Sequence, residues 1–267
     1  MEEKIAILTD STCDLSQDIL NERNIDFLPL KIIFDDGEYK DRVDITPSEV
    51  YKRMEEEIPS TSMPGPDDFQ EKFKELKEQG YTHVISIHIS SGLSSTYNIC
   101  QMAGREIEDL TVEAIDSKML SRGLGRLVIF ARELIDQEEL EFTEIVKKIR
   151  NKRDEMGLYF VVKTLKYLKE GGRIGKVRGT IGQLLNIKPI ISIDEEGKYY
   201  TFDKARSRKR SINTLFDIVK DKISQGLYYI DVMHADAEKE AKSLLSRFKE
   251  IERSEEHTSE LQSPLCI

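Results

Sequence analysis

Hydroxyl side chains gather at the ends of apolar runs along the first half of this chain. The run His83 to Ile89 leads into Ser90-Ser-Gly-Leu-Ser-Ser-Thr96, the first apolar run into Asp10-Ser11-Thr12, and a third, ending at Ile115, into Asp116-Ser117. A fourth cluster, Ser60-Thr-Ser-Met-Pro-Gly-Pro66, precedes an amphipathic stretch. A turn from strand to helix leaves backbone N–H groups unpaired at the positive end of the helix, and a glycine beside them lets a ligand approach. The segment from Ser90 to Thr96 is therefore an anion site in outline. Its hydroxyls carry no charge, which suits one carboxylate better than a polyphosphate. Taken singly, each cluster is also an ordinary set of helix caps. Convergence of all of them on the carboxyl edge of one sheet favours a ligand.

Other chemistries find less support. The chain has no Gly-x-x-x-x-Gly-Lys-Ser/Thr loop, and no Gly-x-Gly-x-x-Gly follows a strand, so nothing points to a nucleotide. A hydrolase would take Ser91 or Ser94 as nucleophile and would need a base and an orienting acid. His88 lies on the preceding strand, and no Gly-x-Ser-x-Gly elbow surrounds the serines. A phosphotransferase or hydrolase at the same sheet edge is the alternative enzyme reading. Cys13, Cys100 and Cys266 are odd in number, and the four histidines, His83, His88, His234 and His257, are scattered. That pattern gives neither a disulfide framework nor a metal site, and no cofactor or catalytic residue is expected.

The elements that position the clusters follow from periodicity. Strands are expected at 4–8, 27–34, 83–89 and 111–115, with helices at 16–23, 47–57, 67–79, 95–107, 118–135 and 142–156. Strands alternating with helices imply a doubly wound parallel sheet. Thr46 and Pro47 form the N-cap and first residue of one of these helices. Past Gly157 the style changes. A strand at 158–162, a short helix at 164–170, a strand at 184–193, a hairpin through Asp194 to Gly197 into 198–202, a helix at 211–224, a strand at 228–233 and a helix at 238–250 make an α+β lobe. The fold expected is α/β, with lobes at 1–157 and 158–252.

Composition narrows the partners. A net charge of -10, from 40 basic and 50 acidic residues, argues against nucleic acid. No stretch approaches the roughly 20 apolar residues of a membrane span, and Met1-Glu-Glu-Lys4 opens no secretory segment, so the chain is expected in the cytoplasm. Against this acidity, Arg173, Lys176 and Arg178 cluster after Gly171-Gly172, and Lys204, Arg206, Arg208, Lys209 and Arg210 form a second group. They are either a solvated face, with Gly172 ending a helix, or a docking surface.

At these residues the chain resembles the DegV family of bacterial fatty-acid-binding proteins. The resemblance rests on Thr9-Asp-Ser-Thr12, Thr61-Ser-Met-Pro64, Ser90 to Tyr97, Asp116-Ser117, Tyr167-Leu-Lys-Glu-Gly-Gly-Arg-Ile174 and Leu185-Asn-Ile-Lys-Pro-Ile190, in family order from about residue 4 to 250. It implies a second lobe with a mostly antiparallel sheet and a long-chain fatty acid held between the lobes by a non-catalytic carrier. It also implies Thr61 and Ser94 as the carboxylate donors, with Ser62 and Ser95 as additional contacts. Ser95-Thr96 stands where the family usually has Gly-Thr. The family presents its acid to a fatty acid kinase for phospholipid synthesis, so Arg173, Arg206 and Arg208 become candidates for docking that partner. Transient contact with a membrane surface is compatible with such a role.

The family's C-terminal His-x-Gly-Pro-Gly segment, whose His lies near the carboxylate, has no counterpart here, and His234 matches a different position. From Arg253 to Pro264 the chain instead resembles the in-frame translation of a sequencing adapter. Residues 253–267 are accordingly expected not to be native, the second lobe to be truncated, and the natural sequence to run on past about Glu252.

Overall fold

The first apolar run forms strand β1 (Ile5–Asp10), and all six of its residues are buried. In this computed structural model, which describes residues 3–137, 139–180, 187–226, 228–254 and 264–266, two compact units are formed, Met1–Glu155 and Met156–Ile267. In the first unit β1 pairs in parallel with β2 (Ile25–Leu28) on one side and β6 (His83–His88) on the other, and β6 pairs with β7 (Thr111–Asp116). Strands covered on both faces need no polar face, which is why β1 reads as a continuous apolar run. Helices α3 (Pro66–Glu78) and α4 (Thr96–Glu106) cover the sheet through Phe69, Phe73, Leu76, Cys100 and Ala103. Helix α5 (Ser121–Asp136) packs on β1 and β6 and carries α6 (Phe142–Glu155). The short helix α1 (Gln17–Glu22) is capped by the Ser16 hydroxyl.

The expected strand at 27–34 is two strands. Pro29 has no N–H to give to a ladder, and the chain breaks there. β2 stays in the parallel sheet, whereas β3 (Lys31–Phe34) opens a separate antiparallel sheet with β4 (Gly37–Lys40) and β5 (Ser60–Ser62). β5 was expected only as a hydroxyl-rich lead-in to α3. It sets Thr61 opposite Ile32 and Ser62 opposite Lys31. Ile32, Phe34, Ile45 and Val50 give this small sheet its own core beneath α2 (Pro47–Arg53), whose Thr46 and Glu49 cap each other as a capping box.

In the second unit β8 (Gly157–Val161), β9 (Lys188–Ile193) and β10 (Tyr199–Ala205) are antiparallel. β11 (Tyr229–Asp231) and β12 (Pro264–Cys266) extend the sheet in parallel in the order β10-β9-β8-β12-β11. The strand β12 comes from the tail set apart above, with Leu265 in register with both Gly157 and Ile230. The helices are α7 (Lys166–Glu170), α8 (Arg208–Ile223) and α9 (Glu238–Ser254). Leu215, Val219, Leu244 and Phe248 of α8 and α9 pack on Tyr159 and Ile190. Gly172, at φ +74, ends α7. The strand expected to begin at Leu184 is seen from Lys188, and its residues 184–186 lie outside the described residues.

Candidate functional site

The strand order β2-β1-β6-β7 means that the chain leaves β1 in one direction and returns on its other side at β6. Crevices at such a reversal are where open α/β sheets hold ligands. The two turns expected to carry chemistry leave from this point.

Their framework is a buried polar network. Asp10 is wholly buried, and one carboxylate oxygen accepts from Thr12 N at 3.0 Å and from the Thr12 hydroxyl. The other oxygen takes His88 Nδ1 and Ile89 N, each at 3.0 Å. His88 Nε2 lies 2.7 Å from Ser86 Oγ, and the Phe69 ring meets the imidazole edge-on at 5.3 Å. Burial alone would depress the imidazolium, but Cys100 and the Asp10 carboxylate outweigh it and lift His88 to about 9. Both partners favour an imidazolium on His88 facing Asp10. The sequence held a signal for this network, since Ser86 and His88 sit two apart in the apolar run from Val84 to Ile89 and so share one face.

The next hydroxyls are also structural. Ser91 donates N–H and O–H to the Asp116 carboxylate at 3.0 and 2.5 Å, and Lys118 N joins them at 3.0 Å. Ser117 Oγ bonds both N and O of Met119, whose carbonyl also takes Ser90 N. Among the described residues neither Ser91 nor Ser94 bonds His88, whose ring is engaged by Asp10 and Ser86. The base that a hydrolase would need is therefore turned away from both serines.

Beyond Leu93 the pattern changes. Ser94 Oγ is half-buried, 2.8 Å from the hydroxyl of buried Thr96 and 4.0 Å from Met63 Sδ. Ser94 Oγ also accepts from Thr96 N at 3.4 Å, and its O–H is directed to the Met63 sulfur, a weak acceptor that an incoming carboxylate can displace. The Met63 contact brings the lead-in to α3 against the turn before α4, so Thr61, Ser62 and Ser94 belong to neighbouring segments. Ser95 is the N-cap residue of α4, but its side chain makes no cap hydrogen bond. Thr61 and Ser95 are exposed, and among the described residues their hydroxyls have no protein partner. Among the described residues Ser62 Oγ donates only to Met63 O, at 3.3 Å. A helix start whose N-cap side chain makes no bond, with spare hydroxyls beside it, can take an anion of one charge.

The basic residues of the second unit divide. Arg208 is fixed, its guanidinium clamped on Glu240 at 2.6 Å and on Val161 O at 3.2 Å. Arg206 is exposed and has no partner among the described residues. Arg173 is exposed and donates to Gly171 O, and Lys176 pairs with Asp194 at 2.7 Å. No helix among the described residues is long and apolar enough to cross a membrane.

Known proteins share this fold. A DegV domain-containing protein of Clostridium acetobutylicum is 48% identical over 249 residues, 93% of this chain and 88% of its own. The structure is similar to that of DegV from Bacillus subtilis, a fatty acid binding protein, with a TM-score of 0.88 and 26% identity over 99% of this chain and 93% of that one. It is also similar to a stearic acid-binding protein from Eubacterium ventriosum, with a TM-score of 0.77 and 28% identity over 91% of this chain and 88% of that one. A family profile described as "Uncharacterised protein, DegV family" matches residues 4–267, and this chain belongs to the DegV family.

Proposed function

We propose that this protein carries a long-chain fatty acid, held by its carboxylate at Thr61 and Ser94, and performs no reaction of its own. The observation that carries this reading is the start of α4, where the N-cap Ser95 makes no cap hydrogen bond, the Ser95 and Thr61 hydroxyls have no protein partner among the described residues, and the Ser94 O–H meets only the weakly accepting Met63 sulfur. Ser62 and Ser95 are additional donors. The family relatives support the ligand class, since the Bacillus protein binds fatty acid and the Eubacterium protein stearic acid. Affinity comes mainly from the tail, at about 0.8 kcal/mol for each buried CH₂, so tight binding needs no catalytic machinery. The headgroup donors select an acid over other lipids.

The bound acid is presented to a fatty acid kinase for phosphorylation of its carboxyl group. Arg173 and Arg206 supply the docking surface in an otherwise acidic chain, and Arg208 contributes by fixing α8 to α9 through Glu240. Mass spectrometry of an organic extract of purified protein tests the carrier. A long-chain acid bound without turnover is expected, and release of a chemically changed acid by the protein alone overturns the proposal.

A further inference from the structure

We infer that the buried His88–Asp10 pair is the positioning element of the carboxylate site, locking its donor segments together and cancelling the Asp10 charge at the edge where the ligand's carboxylate binds. The inference rests on the site proposed above and assigns to it two residues that do not touch ligand. Four pieces of chain meet on the His88 ring or its partners. Asp10 ends β1 and, through Thr12, fixes the turn that follows. His88 ends β6, and Ile89 N, bonded to the same Asp10 oxygen, leads directly into Ser90 to Ser95. Phe69 lies in α3, whose lead-in carries Thr61 and Met63. Cys100 lies in α4, whose first turn follows Ser94 and Ser95. Every donor proposed for the carboxylate thus sits within a few residues of a segment anchored on this ring.

Electrostatics give the pair a second task. An isolated Asp10 carboxylate would repel a fatty-acid carboxylate arriving at the same strand edge, and buried charges are weakly screened. The imidazolium removes that repulsion. The titratable groups facing His88 are Asp10 from β1 and Cys100 from α4, with uncharged Phe69 from α3 and Ser86 on its own strand. Asp116, its register partner on β7, is occupied by Ser91 and Lys118 N.

The test compares palmitate with 1-hexadecanol, which shares the tail and lacks the carboxylate, by calorimetric titration of the full chain. The wild type is expected to prefer palmitate by tenfold or more, about 1.4 kcal/mol per tenfold. His88→Gln should lose most of that preference while hexadecanol affinity stays within about twofold, since the tail contacts are untouched. A purely structural role would weaken both ligands alike and would overturn the inference, as would a variant with unchanged preference. A wild type without preference would instead remove the carboxylate site itself. Should His88→Gln not fold, the wild type decides. Its preference should fall as pH rises through about 9, where His88 loses its proton and the acid stays ionised throughout. A preference flat from pH 7 to 10 overturns the inference.

Discussion

Ser91 and Ser94 stand three residues apart in one turn, and their hydroxyls are committed differently. The upstream half of the turn is tied down, Ser91 to Asp116 and Ser90 to the Met119 carbonyl. The downstream half is held more loosely: Ser94 meets the Thr96 hydroxyl and the weakly accepting Met63 sulfur, and among the described residues the Ser95 and Thr61 hydroxyls have no protein partner. Residue type does not distinguish the two halves; only partnership does. In a hydroxyl-rich sheet edge, satisfied groups build the turn, and the loosely held ones are where the proposed carboxylate would bind.

Substitutions can break this contrast. The largest effect is expected from Asp10→Ala, which strands a buried imidazolium and three further donors. It should cost about 3–5 kcal/mol of folding free energy, measured by urea unfolding. Ser91→Ala should cost about 1.5–3 kcal/mol of stability, because the Asp116 carboxylate loses a charge-assisted bond, with fatty-acid affinity little changed. Thr61→Ala and Ser94→Ala should show the reverse. Each is expected to weaken palmitate binding by roughly ten- to a hundredfold, and Thr61→Ala should leave stability within about 0.5 kcal/mol. Equal behaviour of Ser91→Ala and Thr61→Ala in both assays would erase the distinction.

Stability against pH sharpens the same point. His88 titrates at an ordinary 6.5 when unfolded and at about 9 in the folded chain. Its pairing therefore stabilises fully below about pH 6.5 and is lost progressively as pH rises through 9. A thermal midpoint falling across that window, and flat there in His88→Gln, is the expected outcome. The smallest effects belong to the second unit and to control sites. Arg173→Glu with Arg206→Glu should slow kinase-coupled phosphorylation and leave lipid content unchanged. Ser16→Ala should cost about 1 kcal/mol by removing the α1 cap without altering binding, and Ser224→Ala almost nothing.

How much of this was legible in the sequence varies by element. The alternation of apolar runs and amphipathic stretches yields the parallel sheet and the order of its helices, and Thr46-Pro47 yields the start of α2. Period and composition could not separate β2 from β3, because an apolar run does not say which sheet each half joins; only Pro29 hinted at the break. The three-residue β5 has no periodicity to detect, since Ser60, Thr61 and Ser62 are all exposed. Partnership was equally invisible. Asp10 finds His88 and Ser91 finds Asp116 only once the sheet has formed. The basic clusters show the same limit, since nothing in the spacing separates clamped Arg208 from exposed Arg206.

The bond between Asp10 and His88 spans 78 positions of chain. Closing a loop of that size is paid in entropy before any parallel pairing returns it, so this contact forms with the whole sheet and not ahead of it. The network needs the chain from Asp10 to Cys100 folded together. On the proposed reading a nascent or partly unfolded chain holds no headgroup site, and bound acid would stabilise only the folded unit by mass action. The lipid recovered from a preparation then counts the molecules in which the two halves of the sheet have met.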